Sequence, residues 1–343
     1  MRRLIVLIAA LMLTGCAPLL AQRPGDPPEW FKGPYVAGET FVSFDGAPLG
    51  LTTWLPPEGE PWAVIVGVHG MNDYANAFHF AGEYWAEQGI ATYAYDQRGF
   101  GRSPNRGVWG GDETMVEDLR AVTAFVRRKH PDAVIAVMGE SMGGAIAIKA
   151  FASSRPPDAD RLILSAPAVW GWSSQPLPYK TALWLAAHVT GSKVYTPPSW
   201  ITRKIQASDN RDELIAMGKD PLMIWGARSD TLYHLVSAMD SGLQGIDEVE
   251  APILYLYGAN DEIIPKRPSF KAAAQLKPSD RTAYYRRGYH LLMRDKQRQV
   301  VFDDVVAWLK DAQGPLPSGA PAIPRRERER EPDRRVVAAG RGA

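Results

Sequence analysis

Five short runs, residues 63–68, 90–95, 134–138, 161–165 and 253–257, are apolar almost from end to end, and each closes on, or runs within two residues into, Gly, Asp or Ser. A strand with one wet face alternates polar and apolar residues, whereas a strand covered on both faces does not. Between the runs lie longer stretches of helical periodicity, so the chain reads as α/β, a mostly parallel central sheet flanked by helices. Two earlier runs, 40–44 and 49–55, alternate better and are separated by Asp45-Gly46, which predicts an antiparallel hairpin at the sheet edge. The strand–helix rhythm stops after Ser165. From about Trp170 to Gln244 no clear strand pattern appears, and apolar helical stretches carry Trp170, Trp172, Trp184, Trp200 and Trp225. We read residues 168–245 as a helical cap inserted into a folded domain spanning 39–312.

The ends read differently. Arg2 and Arg3 precede an apolar run over residues 4–13, about half the length needed to span a bilayer, so residues 1–15 are expected to be a signal peptide. Leu13-Thr14-Gly15-Cys16 resembles the lipobox of bacterial lipoproteins. Cys16, the chain's one cysteine, would then become the mature N-terminus and carry a membrane-holding lipid, and no internal disulfide is available. The expected location is a bacterial cell envelope, at the outer membrane or the outer face of the inner one. Residues 16–38, rich in Pro and Gly, read as a tether, and residues 313–343, including the alternating charges of 325–331, as a disordered tail. A formal net charge of +1 with interspersed signs offers no electrostatic footprint for nucleic acid.

The chemistry centres on Gly139-Glu140-Ser141-Met142-Gly143, between the run ending at Met138 and a helical stretch. Such a serine sits on a strained strand-to-helix turn that needs small flanking residues. A hydroxyl is a poor nucleophile at neutral pH; it needs a base, and the base needs a partner that fixes its tautomer. Asp261 follows the run 253–257 and His290 follows a predicted strand over 282–286, giving the chain order Ser, Asp, His. Glu262 is the neighbour competing with Asp261, and the place directly after the strand turn favours Asp261. His79, His130, His188 and His234 fall in helical or cap segments, where packing or surface roles are the default. The Met142 amide, after the nucleophile, and the Met71 amide, after His69-Gly70, are candidate oxyanion donors. His69 reads as a brace for that loop rather than a proton carrier.

Taken together, His69-Gly70, Asp96-Gln97-Arg98-Gly99-Phe100-Gly101-Arg102-Ser103, Gly139 to Gly144, Gly258-Ala259-Asn260-Asp261 with Pro265, and His290-Leu291-Leu292 resemble the monoacylglycerol lipase and lysophospholipase group of α/β-hydrolases. Asp220-Pro221-Leu222, late in the cap, is similar to a segment these enzymes carry before the acid strand. The resemblance covers about residues 39–310. It implies an α/β-hydrolase fold and hydrolysis of a single-chain acyl ester, with the acyl chain beneath the cap and no cofactor. The cap tryptophans suit an apolar pocket, although each alone reads better as helix packing. Asp96, Arg98 and Arg102 read as a loop-locking ion pair.

Other classes are weighed against the same residues. Haloalkane dehalogenases and epoxide hydrolases of this fold need aspartate where Ser141 stands. An aminopeptidase would need cap acids to hold a substrate amine, and Asp209, Asp212, Glu213 and Asp230 leave that open. A binding lipoprotein on a retired scaffold loses ground because no triad or oxyanion position is missing. No metal-ligand spacing and no glycine-rich phosphate loop is present.

Overall fold

The computed structural model describes residues 19–198, 200 and 205–324. In chain order the domain opens with β1 (Tyr35–Ala37), β2 (Thr40–Val42), β3 (Pro48–Trp54), β4 (Ala63–Val68), α1 (His79–Glu87), β5 (Ile90–Tyr95), α2 (Asp112–Lys129), β6 (Val134–Glu140), α3 (Met142–Phe151) and β7 (Arg161–Ser165). The cap follows, with α4 (Leu177–Thr190), β8 (Val194–Tyr195), α5 (Arg211–Lys219), β9 (Ala227–Arg228) and α6 (Ser229–Gly245). The chain then returns through β10 (Ile253–Gly258), α7 (Lys266–Ala273), β11 (Arg281–Tyr285) and α8 (Arg298–Lys310).

Among the described residues, nine strands form one sheet in the order β1-β2-β3-β5-β4-β6-β7-β10-β11. β1 to β3 and the β3–β5 pair are antiparallel; from β5 to β11 every pair is parallel. The strand pleat sends successive side chains to opposite faces, and β4 shows what this does. Val64, Val66 and Val68 feed one core with α2, α3 and α6, while Ala63 and Ile65 feed a second core with α1 and α8. Every residue of β4 and β5 is buried, which is why these runs lack alternation. Each large aliphatic side chain so buried contributes roughly 1.5–3 kcal/mol, and the sheet is therefore a rigid platform for whatever its rim carries.

The structure departs from the sequence reading in several places. β6 and β10 run further than expected, to Glu140 and Gly258, and β11 starts one residue earlier, at Arg281. The expected hairpin is present, with Gly46 at φ 82° in its turn, but it is not the outermost pair. β1 lies outside it, within the stretch 16–38 expected to be a tether, and further back Ala21 bridges to Trp109. Backbone pairing with one or two docked apolar residues, here Ala21 and Val36, needs no periodic pattern and leaves none to read. Residues 1–15 and Cys16 lie outside the described residues.

The tail expectation also needs correcting over residues 313–324. Pro321 accepts the Tyr284 N–H (2.8 Å), the Ile323 N–H donates to Thr282 Oγ1 (3.0 Å), and Ser318 bonds Asp304 through both N–H (2.9 Å) and Oγ (2.6 Å). This segment covers β11, the edge strand whose unpaired groups would otherwise face outward. The charged run 325–331 lies outside the described residues.

The segment read as a cap lies between β7 and β10 and is mostly helical. It also holds the two-residue antiparallel pair β8–β9, too short to have a sequence signature. α6 fastens it to the core: Leu235, Ala238, Met239 and Leu243 are buried, and Gly242 lets α6 approach Ala145 of α3 closely.

Candidate active site

Ser141 occupies the turn from β6 into α3 at φ 51° and ψ −116°. A non-glycine residue at positive φ stores strain and persists only where its surroundings over-determine it. Here the Ser141 N–H donates to the Ser165 carbonyl (3.0 Å) and the Ser141 carbonyl accepts the Ala168 N–H (2.8 Å), stitching the turn to the end of β7. Glycine at 143 is required by close approach, since a Cβ there would lie 2.0 Å from the Val68 carbonyl oxygen. Met142 is the first residue of α3, so its N–H belongs to the amides that the helix itself leaves without partners, at the positive end of the helix dipole.

Asp261 and His290 come from the loops after β10 and β11. The strand order β6-β7-β10-β11 and its register, with Glu140 and Leu256 both opposite Ser165 and Gly258 opposite Tyr285, bring the three loops to one rim. Asp261 Oδ2 accepts a hydrogen bond from His290 Nδ1 (2.9 Å), and Oδ1 accepts the N–H groups of Ile263 (2.8 Å) and Ile264 (2.9 Å). Both side chains are buried. With its Nδ1 proton committed to the carboxylate, the ring leaves Nε2 as its basic atom. Burial alone would depress the His290 pKa, but the Asp261 carboxylate, with Glu140 and Asp295 beyond it, raises it above the ordinary imidazole value. Glu262, the competing acid, turns instead toward the cap and accepts the Gln206 N–H (2.7 Å).

The loop after β4 lies against the serine: a Cβ on Gly70 would stand 3.2 Å from Ser141 Cβ, and Met71 follows directly. His69 is fully buried beneath it. Its Nδ1 donates to the Gly70 carbonyl (2.7 Å), its Nε2 accepts the Gln97 N–H (2.9 Å), and burial holds its pKa below the usual value. A neutral imidazole bonded at both nitrogens braces the loop. Asp96 and Arg102 form the expected ion pair (2.8 Å), with Asp96 also accepting the Ala75 N–H (2.8 Å). Arg98 does not join them. It forks between Asp45 (2.7 Å) and Asp118 (2.6 Å), tying the hairpin turn to α2.

Sequence reasoning missed the charges buried under the rim. Glu140 is fully buried, its Oε2 has no hydrogen-bond partner, and burial pushes its pKa up to about 7. Arg294 and Asp295, just past His290, are also buried, and Arg294 pairs with Asp73. Isolated charges in loops follow no period; their one visible signal is an Arg-Asp dipeptide after an apolar Leu-Leu-Met.

The cap acids are largely committed. Asp209 accepts the Lys296 N–H (2.7 Å), Glu213 faces Arg294 (3.9 Å) and His79 (3.7 Å), and Asp230 pairs with Arg228 (2.6 Å). Asp212 alone of the four stands exposed. Of the cap tryptophans, Trp172 and Trp184 line a pocket of about 350 Å³ with Lys180, Thr181 and Tyr233. Among the described residues no three His, Cys, Asp or Glu side chains are grouped to hold a metal ion.

Comparison with known proteins agrees with this architecture. A family model described as "Serine aminopeptidase, S33" matches residues 59–297, more than half of the chain. A monoacylglycerol lipase of Mycolicibacterium smegmatis is 26% identical over 285 residues, covering 79% of this chain and 95% of that protein. The monoglyceride lipase of Mus musculus is 24% identical over 296 residues, covering 84% and 95%. Among solved structures, a Saccharomyces cerevisiae monoglyceride lipase variant aligns with a TM-score of 0.66 at 18% identity, over 85% of this chain and 99% of the other. The Paleococcus ferrophilus monoacylglycerol lipase aligns at 0.62 and 22% identity, over 76% and 98%. With the parallel sheet, the serine turn and the family match in agreement, the chain belongs to the serine aminopeptidase S33 family and is a serine hydrolase of the α/β-hydrolase fold.

Proposed function

We propose that this enzyme hydrolyses a single-chain acyl ester, a monoacylglycerol or a lysophospholipid, through Ser141, His290 and Asp261 by way of an acyl-enzyme. The observation that carries the reading is the buried His290–Asp261 hydrogen bond (2.9 Å) on the rim that also bears Ser141 in its strained turn. His290 Nε2 takes the Ser141 proton as Oγ attacks the ester carbonyl. The oxyanion is met by the Met71 and Met142 amides, each such donor contributing on the order of 3 kcal/mol to barrier lowering. Collapse expels the alcohol, which takes the proton back from His290, and water then releases the fatty acid by the same steps. Asp261 keeps the imidazole in its Nδ1–H form throughout.

The substrate class draws on the lipase names of the relatives and on the apolar, tryptophan-bearing cap. An amine substrate is disfavoured because three of the four candidate cap acids already have cationic or amide partners. Cys16 carries a diacylglyceryl anchor, with residues 1–15 removed, and holds the enzyme on a bacterial envelope membrane. A fluorophosphonate probe, together with a panel of nitrophenyl esters, monoacylglycerols and lysophospholipids, tests the reading. Wild type should be tagged and should turn over single-chain esters, and Ser141→Ala should do neither; equal tagging of both would overturn it. Cys16→Ser should move the enzyme to the soluble fraction with kcat on a soluble ester unchanged, and unaltered membrane retention would remove the anchor.

A further inference from the structure

The hydrolytic steps use neither Arg294 nor Asp295, yet both are buried and each bonds a backbone segment that carries a reacting group. Arg294 is 2% exposed. Its Nη2 donates to Asp73, two residues beyond Met71, and its Nε reaches the Ala77 carbonyl (3.5 Å), so one guanidinium spans the loop after β4. Its other contacts lie on the cap, Met217 Sδ at Nη1 (3.1 Å) and Glu213 at Nε (3.9 Å). Asp295 Oδ2 accepts the N–H of Tyr289, the residue before His290 (2.8 Å), and Oδ1 accepts the Ser208 hydroxyl from the cap (2.7 Å).

Further bonds run along the same seam. Asn210 Nδ2 donates to the Arg294 carbonyl (3.1 Å), the Leu291 N–H to the Ala207 carbonyl (2.9 Å), and the Tyr74 hydroxyl to Asp220 (2.6 Å). The Ile224 N–H donates to the Asn72 carbonyl (3.0 Å), next to Met71. Residues 206–224 of the cap are thus joined, bond by bond, to the Met71 loop and the His290 turn.

We propose that Arg294 and Asp295 are positioning residues that lock the Met71 amide and the His290 ring to the cap's returning leg, so that this leg is part of the catalytic frame and not a free lid. The inference rests on the hydrolytic reading of the site. A buried charge pair holds loops this way because removing one partner leaves the other uncompensated in low dielectric, so alternative loop positions are penalised. Reacting groups displaced by about 1 Å lose on the order of 100-fold in rate, so loosening either clasp should appear in kcat.

The test compares wild type with Arg294→Lys, Asp295→Asn and Ser208→Ala on a short soluble ester, with folding followed by circular dichroism. Lysine keeps the charge of Arg294 but cannot span Asp73 and the Ala77 carbonyl together. Arg294→Lys and Asp295→Asn should lower kcat by roughly 10- to 100-fold with KM within about threefold, and Ser208→Ala should lower it less. Asp295→Asn should also shift the acid limb of the pH–rate profile to lower pH. The acids facing His290 are Asp261, Glu140 and Asp295, with Arg294 and Asp73 facing Glu140, and removing the Asp295 charge withdraws one source of the raised imidazole pKa. A packing role would lower Tm and leave kcat in place.

Folded Arg294→Lys and Asp295→Asn proteins with wild-type kcat, or with losses confined to KM, would overturn the proposal. Should Arg294→Lys fail to fold, Asp295→Asn and Ser208→Ala decide the matter by the same readouts. A wild type that neither turns over esters nor takes the probe would instead remove the hydrolytic reading itself.

Discussion

The two legs of the cap differ in how they meet the rest of the molecule. The returning leg, residues 206–224, is bonded to both rim loops and contributes Ser208 and Glu213 to the buried polar seam. The outgoing helix α4 buries one residue, Ala187, while Leu177 is 73% exposed, Val189 65% and Trp184 47%. A single cap therefore combines a half bonded to the rim loops with a half that buries little of itself.

The rim itself sets the upper limit of this contrast. Ser141→Ala and His290→Ala should each reduce kcat/KM by several orders of magnitude; Ser141→Ala should leave Tm nearly unchanged, whereas His290→Ala leaves the buried Asp261 carboxylate without its partner and should lower Tm. Asp261→Asn should cost on the order of 10⁴ in kcat through the imidazole tautomer. The Ile263 and Ile264 amides still find an acceptor in that variant, so its stability should change little. Steady-state kinetics beside thermal melts check both statements, and activity retained in Asp261→Asn would move the acid role to Glu262.

Arg98 separates a structural charge from a positioning one. It ties Asp45 to Asp118 and bonds none of the reacting groups, so Arg98→Met should destabilise by about 3–5 kcal/mol, the range for breaking a buried pair. At temperatures where the variant stays folded its kcat should be unaltered, the reverse of the pattern expected for Arg294→Lys.

These contrasts mark what the sequence made legible. Strand runs 63–68 and 90–95 coincide with β4 and β5 because burial on both faces imposes an unbroken apolar pattern. The serine turn, the Asp–His pair and the brace at His69 were readable because each sits at the end of such a run, where chain order and strand ends limit the choice. β1, the docked segment 313–324 and the Arg294–Asp295 clasp were not. Each rests on a few backbone bonds or on one buried charge whose partner is remote in sequence, and neither leaves a period. Arg98 shows the intermediate case: its role as a loop lock was legible and its partners were not.

Glu140 tests the fixed side more gently. Its carboxyl is raised from its ordinary 4.5 to about 7, so the native state holds this proton more tightly than the unfolded chain does. The stability from that proton is fully present below pH 4.5 and is lost as pH rises through about 7. Glu140→Gln should therefore melt higher than wild type above pH 7, by an amount worth on the order of 3 kcal/mol, and the advantage should fade in acid. Its kcat/KM should keep its plateau while the acid limb moves to lower pH, because one anion facing His290 is gone. Melts across pH 5 to 9 with matched rate profiles would show both; a Glu140→Gln protein less stable than wild type at pH 8 would mean that the carboxylate has a cationic partner in solution.

The smallest effects should come from α4. Leu177 and Val189 are exposed and pack little, so Leu177→Ser or Val189→Ser should change stability by no more than about 0.5 kcal/mol and leave kcat on a short soluble ester as it was. If the outgoing half of the cap serves the acyl chain, the same variants should raise KM for long-chain monoacylglycerol presented in micelles or vesicles, by roughly 0.8 kcal/mol for each acyl methylene left in water. Comparing a short and a long ester within one variant isolates that term. A loss of kcat on the short ester would mean that α4 is tied to the rim after all, and the division of the cap into a fixed and an adaptable half would fail.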